Sequence, residues 1–179
     1  MAEEQNQGPA MTPDENASAQ FQIQKLYAKD ASLELPNAPQ IFQENGQADV
    51  KMSLAQRVES LGDNLHEVVL TVTVTATIGE KTAYLAEVAQ AGIFMLSGFN
   101  EQAMHAVMNT LCPTTLFPYA RQMISTMVSE SGFPPLILQP VNFDMLYAQR
   151  MQQMAEEQKN APAAEGNGSA AMPEFLTND

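Results

Sequence analysis

One stretch, residues 65–93, constrains the fold of this chain more than any other. From Val69 to Thr77, β-branched and apolar residues alternate strictly with threonines. A period of two is typical of a strand with one covered face. The turn at Ile78–Lys81 contains a glycine and leads into a second strand at Thr82–Ala91, so the sequence predicts an antiparallel hairpin. Its threonine-bearing face, which also carries Leu85 and Glu87, is flat and suits a protein partner better than a substrate pocket.

Two further strands are predicted before this hairpin, at Phe21–Leu35 and at Ala48–Ser60. Short or modest loops join all of them, which favours an antiparallel meander. If the alternation runs unbroken through the first strand, Leu26, Asp30 and Glu34 share one face.

The character of the chain changes after Gly92, where an apolar connector at Ile93–Leu96 precedes helical spacing. Asn100 is expected to cap a first helix that Pro113 ends, a second helix is expected at Phe117–Glu130, and Asn142 is expected to cap a third. The predicted fold class is α+β, a four-stranded antiparallel sheet followed by packed helices. It occupies residues 20–154, between acidic tails at 1–19 and 155–179 that are expected to be disordered.

Charge and composition exclude several function classes. The net charge of −13 argues against a nucleic-acid partner and favours basic partners. The single cysteine, Cys112, is compatible with a reducing compartment. No signal peptide is visible, and no apolar run approaches the roughly 18 residues of a membrane span. These features predict a cytoplasmic protein without direct membrane insertion.

Signals for catalysis or metal binding are weak. His66 and His105 lie in different elements without ligand partners at a suitable spacing, and Cys112 has no visible base beside it. We therefore expect no catalytic residue, no metal and no cofactor. Asp30, Glu34 and Glu87 are more simply interpreted as strand-face acids that, beside a leucine, form a protein-binding surface.

The chain has twelve methionines, many of them between Met95 and Met154. Each alone is an ordinary core residue, but their number favours an adaptable apolar groove. The candidate groove residues combine helix-face and loop positions: Ile41, Phe42, Met123, Met127, Leu146 and Tyr147.

Seven segments in order together resemble the SecB family of bacterial protein-export chaperones, and the match runs from about Phe21 to Met154. The segments are Phe21–Tyr27, Pro36–Pro39, Glu67–Leu70, Gly92–Phe94, Cys112–Pro113, Leu116–Arg121 and Pro140–Asp144. The resemblance implies a homotetramer, a dimer of dimers, that binds non-native precursor proteins without ATP and delivers them to the SecA ATPase.

The resemblance also implies roles for particular residues. It implies that Asp30, Glu34, Leu85 and Glu87 dock SecA, that Ala86, Val88 and Gln90 influence oligomer assembly, and that the segment after the third helix makes a second SecA contact. The sequence departs from the family pattern at Gly46, where a tryptophan is frequent, at Ala86, where a cysteine is frequent, and in its long C-terminal tail, which contains Phe175 and Leu176.

Three hypotheses follow. The first is an ATP-independent holdase with a client groove. The second is a small-molecule-binding or enzymatic α+β domain that uses the acidic face. The third is a non-catalytic oligomeric interaction module without clients.

Overall fold

The computed structural model describes residues 19–160 and contains four strands and three α-helices in that range. The predicted disordered tails, with Phe175 and Leu176, fall almost entirely outside those residues. The strands are β1 (Gln20–Glu34), β2 (Asp49–Gly62), β3 (Leu65–Ile78) and β4 (Lys81–Ser97). The helices are α1 (Glu101–Asn109), α2 (Leu111–Glu130) and α3 (Phe143–Asn160), and a 3-10 turn lies at Gln40–Gln43.

All four strands pair antiparallel in the order β1-β4-β3-β2. Tight turns join β2 to β3 and β3 to β4, so these strands form a meander as predicted. The expected place of β1 in that meander is wrong, because β1 pairs with β4. The connection from Glu34 to Asp49 crosses the end of the sheet, and it is anchored there by the buried Ile41 and by a 2.9 Å hydrogen bond from Asn37 Nδ2 to the Thr82 carbonyl.

The alternation in the central hairpin sorts its residues onto two faces of the sheet. The inner face packs against α2 and is fully buried at Val72, Val74, Ala86 and Val88, as the sequence predicted. On α2 the matching stripe recurs at helical spacing and consists of Leu116, Ala120, Ile124 and Val128. Each such aliphatic side chain contributes about 1.5–3 kcal/mol by leaving water. The outer face, on the other side of the sheet, carries Thr71, Thr73 and Thr75.

Several predicted boundaries are wrong for identifiable reasons. Pro113 does not end α1; it lies in the first turn of α2, where its missing N–H has no helical partner to lose, and the chain breaks earlier, at Thr110. The supposed connector Ile93–Leu96 belongs to β4, which is paired on both sides there. α3 continues past Ala155 to Asn160.

Gly92, which the sequence predicts to begin an apolar connector, lies inside β4. A Cβ atom at this position would be 2.6 Å from the Phe94 ring and 3.0 Å from Leu26 Cδ2, so close packing excludes a side chain. The predicted caps of two helices are confirmed: the side-chain oxygens of Asn100 and Asn142 accept hydrogen bonds from the amides of Ala103 and Met145.

Candidate functional site

Four residues on two adjacent strands form what we call the acidic patch: Asp30, Glu34, Leu85 and Glu87. The register places Glu34 opposite Leu85, Ser32 opposite Glu87, and Asp30 opposite Ala89. Directly opposed residues of an antiparallel pair point to the same face. All four patch residues therefore lie on the outer face, at the edge that β1 forms, and Asp30 and Glu34 are exposed.

The face predicted for Leu26 is wrong. Leu26 lies opposite Gly92 and packs against the inner-face core, whereas Asp30 and Glu34 point outward. A register shift in β1 between Ala28 and Asp30 causes this difference, because it lies between Leu26 and the two acids. Leu85 is thus the leucine that accompanies the acids.

A cross-strand hydrogen bond orients the carboxylate of Glu87. Thr73 lies directly opposite Glu87 on β3, and its hydroxyl donates to Glu87 Oε2 over 2.7 Å. This bond fixes one carboxylate oxygen and leaves the other available to a partner.

Beside the patch, Glu67 forms a polar cluster that the sequence pattern does not predict. Glu67 is only 6% exposed, on the outer face of β3. Lys29 Nζ donates to both of its oxygens, over 2.8 and 2.6 Å, the Tyr27 hydroxyl donates to Oε1, and Arg57 lies 3.8 Å away.

The cluster shifts two pKa values. The hydrogen bonds from Lys29 and Tyr27 lower the pKa of Glu67, and the bond to Glu67 raises the pKa of Tyr27 to about 12. The one signal in the sequence was an acid at the start of the apolar segment Glu67–Leu70.

The candidate client residues lie at different depths. Ile41 is buried in the core, while the neighbouring Phe42 is 49% exposed. The Phe42 ring packs 5.1 Å from the ring of Phe133, which in turn packs 5.1 Å from Tyr84. This aromatic cluster adjoins Gly132, just past the C-terminal end of α2.

The other candidates continue along the helix layer. Met123 and Met127 are partly buried on α2, Leu146 is exposed on α3, and Tyr147 Oη lies 2.9 Å from His105 Nδ1. α3 begins beside the first half of α2, where the Phe143 and Phe117 rings are 6.0 Å apart. At 1.5 Å per residue, α2 runs roughly 20 Å from Phe117 to its end at Glu130, so the candidates form an extended surface rather than one pocket.

Other exposed apolar residues of the helix layer were not singled out from the sequence, because periodicity does not reveal which apolar positions stay uncovered. Ile137 is 74% exposed. The others are Leu111, Tyr119, Met145, Met151 and Met154.

The three candidate assembly residues belong to the interior. Ala86, Val88 and Gln90 are all buried on the inner face of β4, below α2. An effect of these residues on assembly would therefore act through the packing of the subunit core.

The residues considered for chemistry do not form a reactive site. Burial raises the pKa of the Cys112 thiol to about 12, which leaves it protonated at neutral pH, and burial lowers the pKa of His66. Within residues 19–160, no group of three or more His, Cys, Asp or Glu residues could hold a metal ion. No helix in that range is long and apolar enough to cross a membrane.

A comparison with protein families matches residues 14–154 to the family described as preprotein translocase subunit SecB. The chain belongs to the SecB family. A SecB-family relative from Alkalilimnicola ehrlichii, named protein-export protein SecB, is 48% identical over 174 residues, which cover 96% of this chain and 92% of the relative. The protein-export protein SecB of Stenotrophomonas maltophilia is 47% identical over 163 residues, covering 91% of this chain and 94% of the relative.

Among solved structures, the chain resembles the Mycobacterium tuberculosis Rv1957 SecB-like chaperone, which was solved in complex with a ChAD peptide from the Rv1956 HigA1 antitoxin. The TM-score is 0.58 at 16% identity, over 68% of this chain and 90% of that one. This likeness supports the SecB fold, an antiparallel sheet covered on one face by helices.

Proposed function

We propose that this chain is an ATP-independent chaperone that binds unfolded precursor proteins, keeps them export-competent and delivers them to the SecA ATPase. The observation that carries the proposal is membership of the SecB family over residues 14–154. A holdase of this kind works by mass action, because selective binding of the unfolded state opposes folding of the client. Neither an enzymatic step nor a cofactor is part of the proposal.

Clients bind along the helix layer. Unfolded chains expose apolar and aromatic segments, and the exposed part of Phe42 together with Met123, Met127, Leu146 and Tyr147 offers matching surface over the length of α2. Ile41 is buried and does not contact clients itself; it anchors the 3-10 turn that carries the neighbouring Phe42. Methionine side chains adapt to different clients, and several weak contacts along one client add up through avidity.

The working assembly is a homotetramer, a dimer of dimers. Exposed apolar side chains on the helices, among them Leu111 and Met145, support burial of part of this layer between subunits. Ala86, Val88 and Gln90 contribute by keeping the underlying sheet and α2 in register.

SecA docks on the acidic patch, away from the client surface. Its carboxylates and the central Leu85 suit a basic partner segment with an apolar anchor, and the net charge of −13 steers such a partner towards the chain. The place of action is the cytoplasm, where precursors are met before export, and nucleic acid is not a partner.

The test is to follow refolding of a signal-bearing precursor with and without the purified protein, in the absence of nucleotide, and to measure its mass by light scattering in the same sample. Arrest at about one tetramer per client is the expected result. A tetramer that leaves refolding unchanged would refute the holdase function and favour an interaction module without clients. A thermal shift with a metabolite panel separates the small-molecule alternative, since a tight ligand raises the melting temperature.

A further inference from the structure

β1 must contain one extra residue between Leu26 and Leu33. Both leucines pack against the inner-face core, yet they are seven positions apart, and an odd spacing puts two residues of a regular strand on opposite faces. A single-residue bulge resolves the conflict. The pattern alone does not say where in this interval the bulge lies.

The location of the bulge decides where Asp30 points. In the structure Ala28 opposes Gln90 and Asp30 opposes Ala89, so Lys29 is the extra residue and Asp30 points outward. A bulge placed after Asp30 would instead set Lys29 opposite Ala89 and Asp30 opposite Val88, which is fully buried on the inner face. Glu34 would remain outward in both cases, because it lies beyond Leu33.

Contacts across the outer face hold the extra residue in place. The side chains of Lys29 and Tyr27 both extend across β4 to Glu67 on β3. Lys29 Nζ donates hydrogen bonds to both carboxylate oxygens, over 2.8 and 2.6 Å, and the Tyr27 hydroxyl donates to Oε1. On β4, Ala91 lies opposite Tyr27 and Ile93 lies opposite Glu67, so the contact runs diagonally across the outer face of β4. Glu67 is nearly inaccessible to water, so its charge depends on these partners.

We propose that Glu67 is a positioning residue that, through Lys29 and Tyr27, fixes the bulge of β1 at Lys29 and thereby holds Asp30 in the acidic patch. The proposal rests on the proposed SecA docking, and it makes three residues outside the patch, Glu67, Lys29 and Tyr27, determinants of SecA affinity. The same contacts fix the local register of β1, which is an edge strand and pairs with a neighbour on one side alone.

The first measurement reports geometry without SecA. Cysteines at Asp30 and Ala89 face each other across the strand pair when the bulge lies at Lys29, so Asp30→Cys/Ala89→Cys is expected to form a disulfide, and the buried Cys112 does not compete. Adding Glu67→Gln weakens three hydrogen bonds to a charged acceptor and is expected to slow disulfide formation severalfold, because fewer chains then hold the bulge at Lys29. Glu59→Gln is the matched control, because Glu59 lies directly opposite Glu67 on β2 and its replacement removes one negative charge, as Glu67→Gln does. Equal rates with Glu67→Gln and Glu59→Gln would overturn the proposal.

The second measurement is SecA affinity in the otherwise native chain. Glu67→Gln and Lys29→Met are each expected to weaken SecA binding severalfold, in proportion to the fraction of chains that lose the bulge at Lys29, while Lys29→Arg stays near the parent value because it keeps the charge. Precursor holding and tetramer mass are expected to stay at parent values. In an Asp30→Ala background, Glu67→Gln should add no further loss, and an equal loss there would overturn the proposal.

Deletion of Lys29 separates positioning from general stability. Without the extra residue, Leu26 and Leu33 both face inward in a regular strand that still sets Asp30 opposite Ala89. Deleting Lys29 is therefore expected to restore SecA affinity to the Glu67→Gln chain. Failure of a folded double variant to regain affinity would contradict the proposal. If Asp30→Ala itself leaves SecA binding unchanged, the docking function fails, and the disulfide rates still decide whether Glu67 positions the bulge.

Discussion

Replacement of Glu87 by lysine is the most direct perturbation of the acidic patch. Glu34 and Asp30 oppose the residues two positions before and after Glu87 on β4, so each is a diagonal neighbour at roughly 7–8 Å. The change alters the summed charge of positions 30, 34 and 87 from −3 to −1. The new lysine also attracts the two remaining carboxylates, which would otherwise attract the partner. It also removes the acceptor of the Thr73 hydroxyl. We expect SecA affinity to fall by about 3 kcal/mol, or roughly a hundredfold.

The assay is SecA binding by calorimetry at low and at physiological salt, with tetramer mass and precursor holding measured on the same preparation. The loss should shrink as salt rises, because ions screen exposed charges beyond about 8 Å. Glu130→Lys is the matched control, since it makes the same charge change at the exposed C-terminal end of α2, in the helix layer. Unchanged SecA affinity of Glu87→Lys at low salt would refute the docking role of the patch.

Three further predictions concern the client surface, the core and the polar cluster. Phe42→Ala and Tyr147→Ala should each weaken precursor binding severalfold, measured by fluorescence titration, and unchanged affinity in both would remove these residues from the client surface. Gly92→Ala should destabilise the chain by about 1–3 kcal/mol in urea unfolding, because its methyl group would overlap the buried Phe94 ring; a neutral result would mean that the ring can move aside. The pKa of Glu67 is lowered in the folded chain, so the contribution of Glu67 to the free energy of unfolding is present above its ordinary pKa of 4.5 and is lost as pH falls through the lowered value. Glu67→Gln should therefore make the free energy of unfolding fall less steeply at acid pH. An unaltered fall at acid pH would contradict this assignment.

The central hairpin could be predicted from the sequence because its alternation is unbroken and its inner positions from Val68 to Ala76 and from Tyr84 to Gln90 are buried. Features set by tertiary contacts could not. The β1–β4 pairing joins residues far apart in sequence, and tight packing against Phe94, rather than a turn, explains Gly92. Pro113 is equally compatible with the end of one helix and the start of the next, and the break at Thr110 decides between them.

The acidic patch was predictable in part. Leu85 and Glu87 follow from the alternation of β4, whereas the face of Asp30 depends on a bulge that strict alternation ignores. The odd spacing of Leu26 and Leu33 was the available signal for that bulge. Glu67 could not have been paired with Lys29 and Tyr27 without the strand order, because β4 lies between them.

The strand order also sets when the acidic patch can exist during synthesis of the chain. β1 leaves the ribosome first, but its partner β4 is completed only at Ser97. The patch needs β4 at least as far as Ala89, and before that point Asp30 and Glu34 have no paired strand carrying Leu85 and Glu87 beside them. Nascent chains shorter than this therefore lack the proposed SecA surface, and the patch marks a sheet whose folding is complete.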